Sequence, residues 1–436
     1  MKRSISVGLL SGLLTFQVYA QDTLRISLEE VQAKVFSNNL DLKISEQVFL
    51  SARSDYRQSN SLFLPNVSAT HTALSTTNPL MAFGSKLNQE RISVADFNPE
   101  LLNDPDRIGN YATRIEVLQP IFNLDGVKGR QAAALKMEAM GLQAERTKEQ
   151  FELEVKKAYM QLQLSYQAKE VLTSAKQTAE ANLQMIENYL EEGLVQDVDL
   201  LTVQVRVNEV NNMLQYGNSN VKNASDYLML LMNVSSSGVV LAPSEKLSES
   251  LAERGELEAN ISQRKDIIAI QNATMARYKM VQSETLSLIP RVNAFGAYEL
   301  YDTKFLKMGA SGYIIGLQFS WEIFNGYKTL GRIQKAKAEY QKASLEEQKY
   351  KSQSEFEIEK TNRQLLDAEN QLKLARLASE QTKEAFRIRS NRFKEGLERT
   401  TDLMNAESQM FQKELELSQA IFEYEFTKEY LKFLTK

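Results

Sequence analysis

Tyr313-Ile-Ile-Gly-Leu-Gln-Phe-Ser-Trp-Glu-Ile323 decides the fold. Tyr313, Ile315, Leu317, Phe319, Trp321 and Ile323 form one large apolar set, while Gly312, Ile314, Gly316, Gln318, Ser320 and Glu322 form a set that is mostly small or polar. Successive side chains of a strand point to opposite faces, so this alternation predicts a two-faced strand. Residues 111–121 repeat it more weakly, with Ile115 and Val117 opposed by Arg114 and Glu116. Residues 65–74 and 290–301 alternate as well, opened by Leu64-Pro65 and Ile289-Pro290. Four strands are expected, at about 65–75, 110–122, 290–302 and 311–324. Segments of about ten residues, apolar on one side and polar on the other with aromatics near their ends, are the pattern of a transmembrane β-barrel. An antiparallel sheet half-buried on a helical layer gives the same alternation, and the strands alone leave both readings open.

The number of strands sharpens the first reading. A sheet in hydrocarbon must close, because an open edge leaves unpaired amides there, and barrels have at least about eight strands. One chain supplies four, so a barrel requires several chains.

Around the strands the sequence is helical. Ser27-Leu-Glu-Glu30 has the form of a capping box, opening a helical pattern to about residue 63 with a break near Asn38-Asn39. Residues 124–190 contain no proline, and Phe151, Val155, Ala158 and Leu162 are spaced 4-3-4, continued by Leu172, Ala175 and Ala179. That spacing makes one apolar seam, and at 1.5 Å per residue the helix would be about 100 Å long. A second run spans residues 327–393, and a last helix reaches about residue 433 with Leu417, Ile421 and Tyr424 spaced 4-3. A long dimeric coiled coil explains these helices but not the strands between them.

The chain also repeats itself. Asn188-Tyr-Leu-Glu-Glu-Gly193-Leu-Val-Gln-Asp-Val-Asp199-Leu200 returns as Asn391-Arg-Phe-Lys-Glu-Gly396-Leu-Glu-Arg-Thr-Thr-Asp402-Leu403, with the same separation at Gly193/Gly396 and Asp199/Asp402. Leu64-Pro65-Asn-Val and Ile289-Pro290-Arg-Val open the first strands, and Ile121-Phe122-Asn123 and Ile323-Phe324-Asn325 close the second. Such self-similarity means duplicated architecture. The first copy is longer, by an insertion within residues 78–109 where Asn78-Pro79, Asn98-Pro99 and Asp104-Pro105 signal turns or loops. The expected organisation is a leader at 1–20, a first repeat at 21–235, a linker or equatorial segment at 236–260 and a second repeat at 261–436.

Met1-Lys2-Arg3, a short apolar stretch and Val18-Tyr-Ala20 read as a secretory signal. Without Lys2 and Arg3, 50 of the 52 basic side chains face 56 acidic ones, which argues against nucleic acid as a partner. Cysteine is absent, which excludes disulfides and thiol catalysis, and His71 is the single histidine, which excludes a His-rich metal site. After the signal no run of some 18 apolar residues offers a transmembrane helix. Phosphate-loop, zinc-protease and nucleophile-elbow motifs are absent, so no enzyme and no cofactor is expected.

The order of Pro-opened strands, Phe-Asn exits and Gly-Leu-x-x-x-x-Asp-Leu turns, present in both halves, resembles the TolC-like outer-membrane efflux proteins. The resemblance implies a mainly α fold with a transmembrane β-barrel: a homotrimer whose chains each give four strands to one twelve-stranded barrel in outer-membrane lipid, above a long α-helical, coiled-coil tunnel in the periplasm. It implies a passive exit duct for tripartite efflux or type I secretion, fed by a periplasmic adaptor (membrane fusion protein) and an inner-membrane transporter of RND, ABC or MFS type. The rival reading is a periplasmic coiled-coil scaffold or adhesin stalk without a pore.

The resemblance also places candidate residues. Gly193 and Gly396 are the turn glycines, with Leu194 and Leu397 beside them as adaptor-docking tips. Asp199 and Asp402 match an acidic position at the tunnel entrance. Asn405 stands where some members carry a second aspartate, and Phe393 and Glu398 replace a tyrosine and an arginine that help close the best-known member. Unlike positions of the two turns, Val195-Gln196 against Glu398-Arg399 and Asp197 against Thr400, are expected to hold any latch. For Asp199 and Asp402 the local alternative is helix capping: with Asp197 and Thr400 as N-caps, they sit in a first turn where negative charge suits the helix dipole. The glycines are expected at φ > 0. Tyr313, Ile315, Leu317, Phe319 and Trp321 are expected to face lipid, with Tyr298 and Tyr301 in the aromatic girdle, and His71 is expected to be structural.

Overall fold

The computed structural model describes residues 23–235, 238–247 and 261–436. The expected leader lies outside the described residues, as does much of the expected linker. Along the chain run β1 (Thr23–Ile26), α1 (Leu28–Asn38), α2 (Leu40–Gln58), β2 (Asn66–Thr76), α3 (Pro79–Asn88), α4 (Pro99–Asn103), β3 (Ile108–Phe122) and α5 (Leu124–Glu191). They are followed by α6 (Asp197–Leu231), β4 (Val240–Pro243), α7 (Lys265–Leu286), β5 (Arg291–Asp302), β6 (Ala310–Ser320), α8 (Lys328–Lys394) and α9 (Thr400–Thr435). The described residues form two compact units, and each draws on both halves of the sequence: 23–40, 148–235, 238–247 and 358–434 in one, 41–147, 261–357 and 435–436 in the other.

The first unit is helical. Ser27 Oγ accepts from the Glu30 amide at 3.2 Å, and a Glu30 carboxylate oxygen accepts from the Ser27 amide at 3.1 Å, which closes the expected capping box on α1. The expected break falls at Asn39, whose side chain donates to the Leu231 carbonyl. Val155, Ala158, Leu162, Leu172, Ala175 and Ala179 are all buried, so the seam read from spacing is the buried stripe of α5. Leu417, Ile421 and Tyr424 of α9 are half-buried around Leu372, Ala375 and Ala420. β1 and β4 pair in parallel, a pairing that periodicity does not signal because both are four-residue strands. Tyr159 Oη locks the pair, donating to the Ile26 carbonyl and accepting from the Ser244 amide.

The second unit holds an antiparallel sheet ordered β2-β3-β5-β6. Its edges are β2 and β6, so within one chain the sheet is open. The β3–β5 register shifts between Pro120 and Phe122, where proline brings no amide to the ladder. In the same unit, Asp266 of α7 is buried against Arg264 at 2.6 Å, Arg146 of α5 at 3.3 Å and the Tyr350 hydroxyl of α8 at 2.8 Å. Burial pushes its carboxyl up, but the Arg264 and Tyr350 hydrogen bonds and the Arg146 charge outweigh this and hold it below the ordinary carboxylate value.

The insertion after β2 is a folded element rather than a bare loop. Asn78 and Asn98 accept from the amides of Met81 and Glu100, each followed by proline at the first helical position, so two loop signals act as helix starts. Lys86 reaches Asp96 at 2.8 Å and draws its carboxyl down to about 2, helped by Ser93. Phe83 and Phe97 meet edge to face. Among the described residues no helix is long and apolar enough to cross a membrane.

Candidate functional site: two helix turns and a two-faced sheet

Both α5 and α8 end in the same hydrogen-bonded turn. Gly193 N–H donates to Leu190 and Leu194 N–H to Tyr189; at α8, Gly396 donates to Phe393 and Leu397 to Arg392. These are paired Schellman bonds, and they require the glycine to be left-handed. The φ angles are 71° at Gly193 and 73° at Gly396. The next residue of each turn points outward: Leu194 is 65% and Leu397 62% exposed.

The helices after the turns start differently from the expected capping. Gln196, not Asp197, is the N-cap of α6, because Asp199 sits at the third helical position and its carboxylate accepts from the Gln196 amide at 3.0 Å. In the second copy the Arg399 carbonyl accepts the first helical bonds, from Asp402 and Leu403, so Thr400 is the first helical residue and is buried. Asp199 and Asp402 thus occupy first turns, both half-exposed, and Asn405 one turn further along α9 is exposed.

The unlike turn positions have different local jobs. Val195 packs on the apolar cluster of Ile186, Val203, Phe393, Leu403 and Met404, which joins the ends of four helices. Its counterpart Glu398 instead folds back on α8, bonding Arg389 at 2.7 Å and Arg392 at 3.0 Å. Phe393 is buried in the cluster and stacks on Tyr189, while Arg399 is exposed.

Just beyond that cluster lies a group that sequence reading passed over. Glu407 of α9 is fully buried and accepts from Asn182 of α5 at 2.5 Å and from Arg206 of α6 at 3.4 Å. Arg206 also reaches Glu209 at 3.6 Å. A signal was present. Asn182 lies between Ala179 and Ile186, Arg206 between Val203 and Val210, and Glu407 between Leu403 and Phe411, each at a spacing of three or four that belongs to an apolar seam.

In the sheet, register assembles two unlike faces. Tyr313 pairs with Tyr298, Ile315 with Gly296, Leu317 with Ala294 and Phe319 with Val292, and the same face continues through Ile115 and Val117 to Ala69 and Val67. This apolar face is open, with Ile315 79% exposed. Trp321 departs from the expected set: β6 ends at Ser320, and the indole N–H turns to the Leu288 carbonyl at 3.1 Å. Tyr301 also departs, since it lies on the opposite face, where its hydroxyl donates to Glu299 at 2.7 Å. There Arg114 bonds Glu299 at 2.9 Å and reaches Glu116 at 3.4 Å. Gly316 on this face leaves room for the Phe295 ring, which a Cβ there would meet at 2.8 Å and push aside. His71, on the apolar face, bonds Thr113 and packs edge-on against Phe305. Among the described residues no cluster of His, Cys, Asp or Glu is suited to a metal ion.

The sequence matches the family described as outer membrane efflux protein over residues 33–234 and 257–432. The chain belongs to this family. The fold agrees with solved structures of outer membrane proteins and channels. The VceC outer membrane protein of Vibrio cholerae superposes with a TM-score of 0.79 at 16% identity, over 94% of this chain and 96% of that one. The CmeC outer membrane channel of Campylobacter jejuni gives 0.79 at 15% identity, over 94% and 85%. The open MtrE outer membrane channel of Neisseria gonorrhoeae gives 0.77 at 14% identity, over 94% and 88%. No curated protein sequence matches. As an outer membrane efflux protein, the chain has its place in the outer membrane.

Proposed function

We propose that three copies of this chain form one outer-membrane exit duct, each giving β2, β3, β5 and β6 to a shared barrel. The carrying observation is the sheet: one largely apolar face, one charged face and, within one chain, two unpaired edges. In hydrocarbon each unsatisfied edge amide costs several kcal/mol, so the edges call for neighbouring copies, while the Arg114–Glu299 face suits a water-filled lumen. The two sequence repeats supply equivalent helical hairpins to the tunnel, six turns per trimer. Leu194 and Leu397 at those turns fit apolar docking against a helical periplasmic adaptor, with the energy supplied by an inner-membrane transporter. Asp199 and Asp402 line the entrance beside Asn405 and Arg399. Because Glu398 is tied to its own helix and Phe393 is buried, the hydrogen bonds that close the best-known relative have no counterpart at these positions.

Purified protein in a planar lipid bilayer is expected to conduct ions as a trimer. A water-soluble monomer that never enters the bilayer would overturn the reading in favour of a poreless stalk.

A further inference from the structure

The polar group of Asn182, Arg206 and Glu407 separates two apolar clusters. On the side of the turns lies the cluster of Ile186, Val203, Phe393, Leu403 and Met404, with Tyr189, Val195 and Leu200 packed against it. On the other side lie Ala175, Ala179, Val210 and Phe411, with Val171, Val207 and Met410. Each of α5, α6 and α9 contributes to both clusters and gives one polar residue to the layer between them. Leucines at the three positions would join the clusters into one seam.

Such a layer behaves differently dry and wet. When buried, a carboxylate and a guanidinium give up their hydration, and only good partners offset the loss. Glu407 accepts from Asn182 at 2.5 Å and from Arg206 at 3.4 Å, and all three residues are buried. The Arg206 contact is long for a charge-assisted bond, so the layer is closed without being tight. When the helices part here, the same groups recover water, whereas an apolar layer would lose the burial that holds it shut. Arg206 also reaches Glu209 at 3.6 Å, whose side chain is 55% exposed, so charged groups run from solvent into the layer.

We infer that this layer is the release point of the periplasmic entrance. The helix ends part from the turns up to Asn182, Arg206 and Glu407 and no further; water fills the layer as they do, and the cluster of Ala175, Ala179, Val210 and Phe411 stays shut behind it. This is local opening with a defined end. The inference deepens the exit-duct reading and rests on it for its function. The layer itself lies within one chain and asks nothing of a contact between copies.

The chain has no cysteine, so single cysteines report cleanly. Val203 and Val210 flank Arg206 on one face of α6 and are 0% and 1% exposed. Val203→Cys and Val210→Cys, made separately in the full-length protein, would be labelled with a maleimide under native conditions. Val203→Cys is expected to react several-fold faster. Helix ends also fray, so the decisive comparison adds Asn182→Leu, Arg206→Leu and Glu407→Leu together to each. Replacing a buried ion pair by apolar residues is often neutral or stabilising. The triple change should bring the Val203→Cys rate down to that of Val210→Cys and lower conductance in a planar bilayer several-fold. Equal rates before the triple change, or a difference that it leaves intact, would overturn the inference. Hydrogen exchange of the wild type answers the question even where the triple variant does not fold. Amides of α6 before Arg206 and of α9 before Glu407 should exchange together, with a step at the layer, and a smooth gradient from the turns would count against a release point. If the wild type is a conducting trimer and the cysteines react alike, the release point is wrong and the duct stands. If it neither trimerises nor conducts, the duct fails and the release point with it.

Discussion

Glu407 places a carboxylate where a leucine would complete the α9 seam. Burial, the largest influence, raises its carboxyl above the ordinary glutamate value, against the opposing charge of Arg206 and the hydrogen bonds from Asn182 and Arg206. The folded chain therefore holds this proton more tightly than the unfolded chain. Its stabilising contribution is complete below the ordinary glutamate range and is lost as pH rises through the raised value. Thermal melts of the wild type are expected to show Tm falling across that window, and Glu407→Gln should flatten this part of the profile. A profile the variant leaves unchanged would remove Glu407 as its source. Glu407→Ala strands Arg206 with only Glu209 and is expected to cost about 3–5 kcal/mol, as breaking a buried ion pair does. At this scale the sequence is legible where chemistry is local. Gly193 and Gly396 announce their φ, and Ser27 and Glu30 their box. The partners of Glu407 were not, because Asn182 and Arg206 lie on other helices and only the fold brings the three seams together.

Among the elements, β6 carries the most consequence. A lysine facing lipid at mid-membrane costs about 2–4 kcal/mol, so Tyr313→Lys, Leu317→Lys and Phe319→Lys together should keep the protein out of the outer-membrane fraction. Gln318→Lys on the charged face should not, and fractionation with immunoblotting decides between them. Normal insertion of the triple variant would mean that this face does not meet lipid. The strands, the long helices and their breaks were readable within a few residues, because period and capping are local signals. The β1–β4 pair was invisible, since four-residue strands carry no period. The residues 78–109 read as loop because Asn-Pro marks both turns and helix starts, and only contact with the sheet settles which.

For the whole molecule, symmetry can create what one chain lacks. A single half-exposed Asp402 is an ordinary first-turn acid, but three around one axis make an anionic ring that attracts cations. Asp402→Ala is expected to weaken block by divalent cations added on the helical side several-fold in bilayer recordings; unchanged block would leave Asp402 with its first-turn role alone. A single sequence can suggest such a ring but not build it, because it would exist only between copies. The small parallel pair bears on assembly in another way. Thr23 finds its partner Val240 more than two hundred residues downstream, so the loop it closes encloses the whole first half of the chain, at an entropic cost that grows with the logarithm of loop length. A ribosome or translocase delivering the protein from its amino end must therefore hold the first strand in waiting until the midpoint has passed, and the first half cannot finish as a separate body.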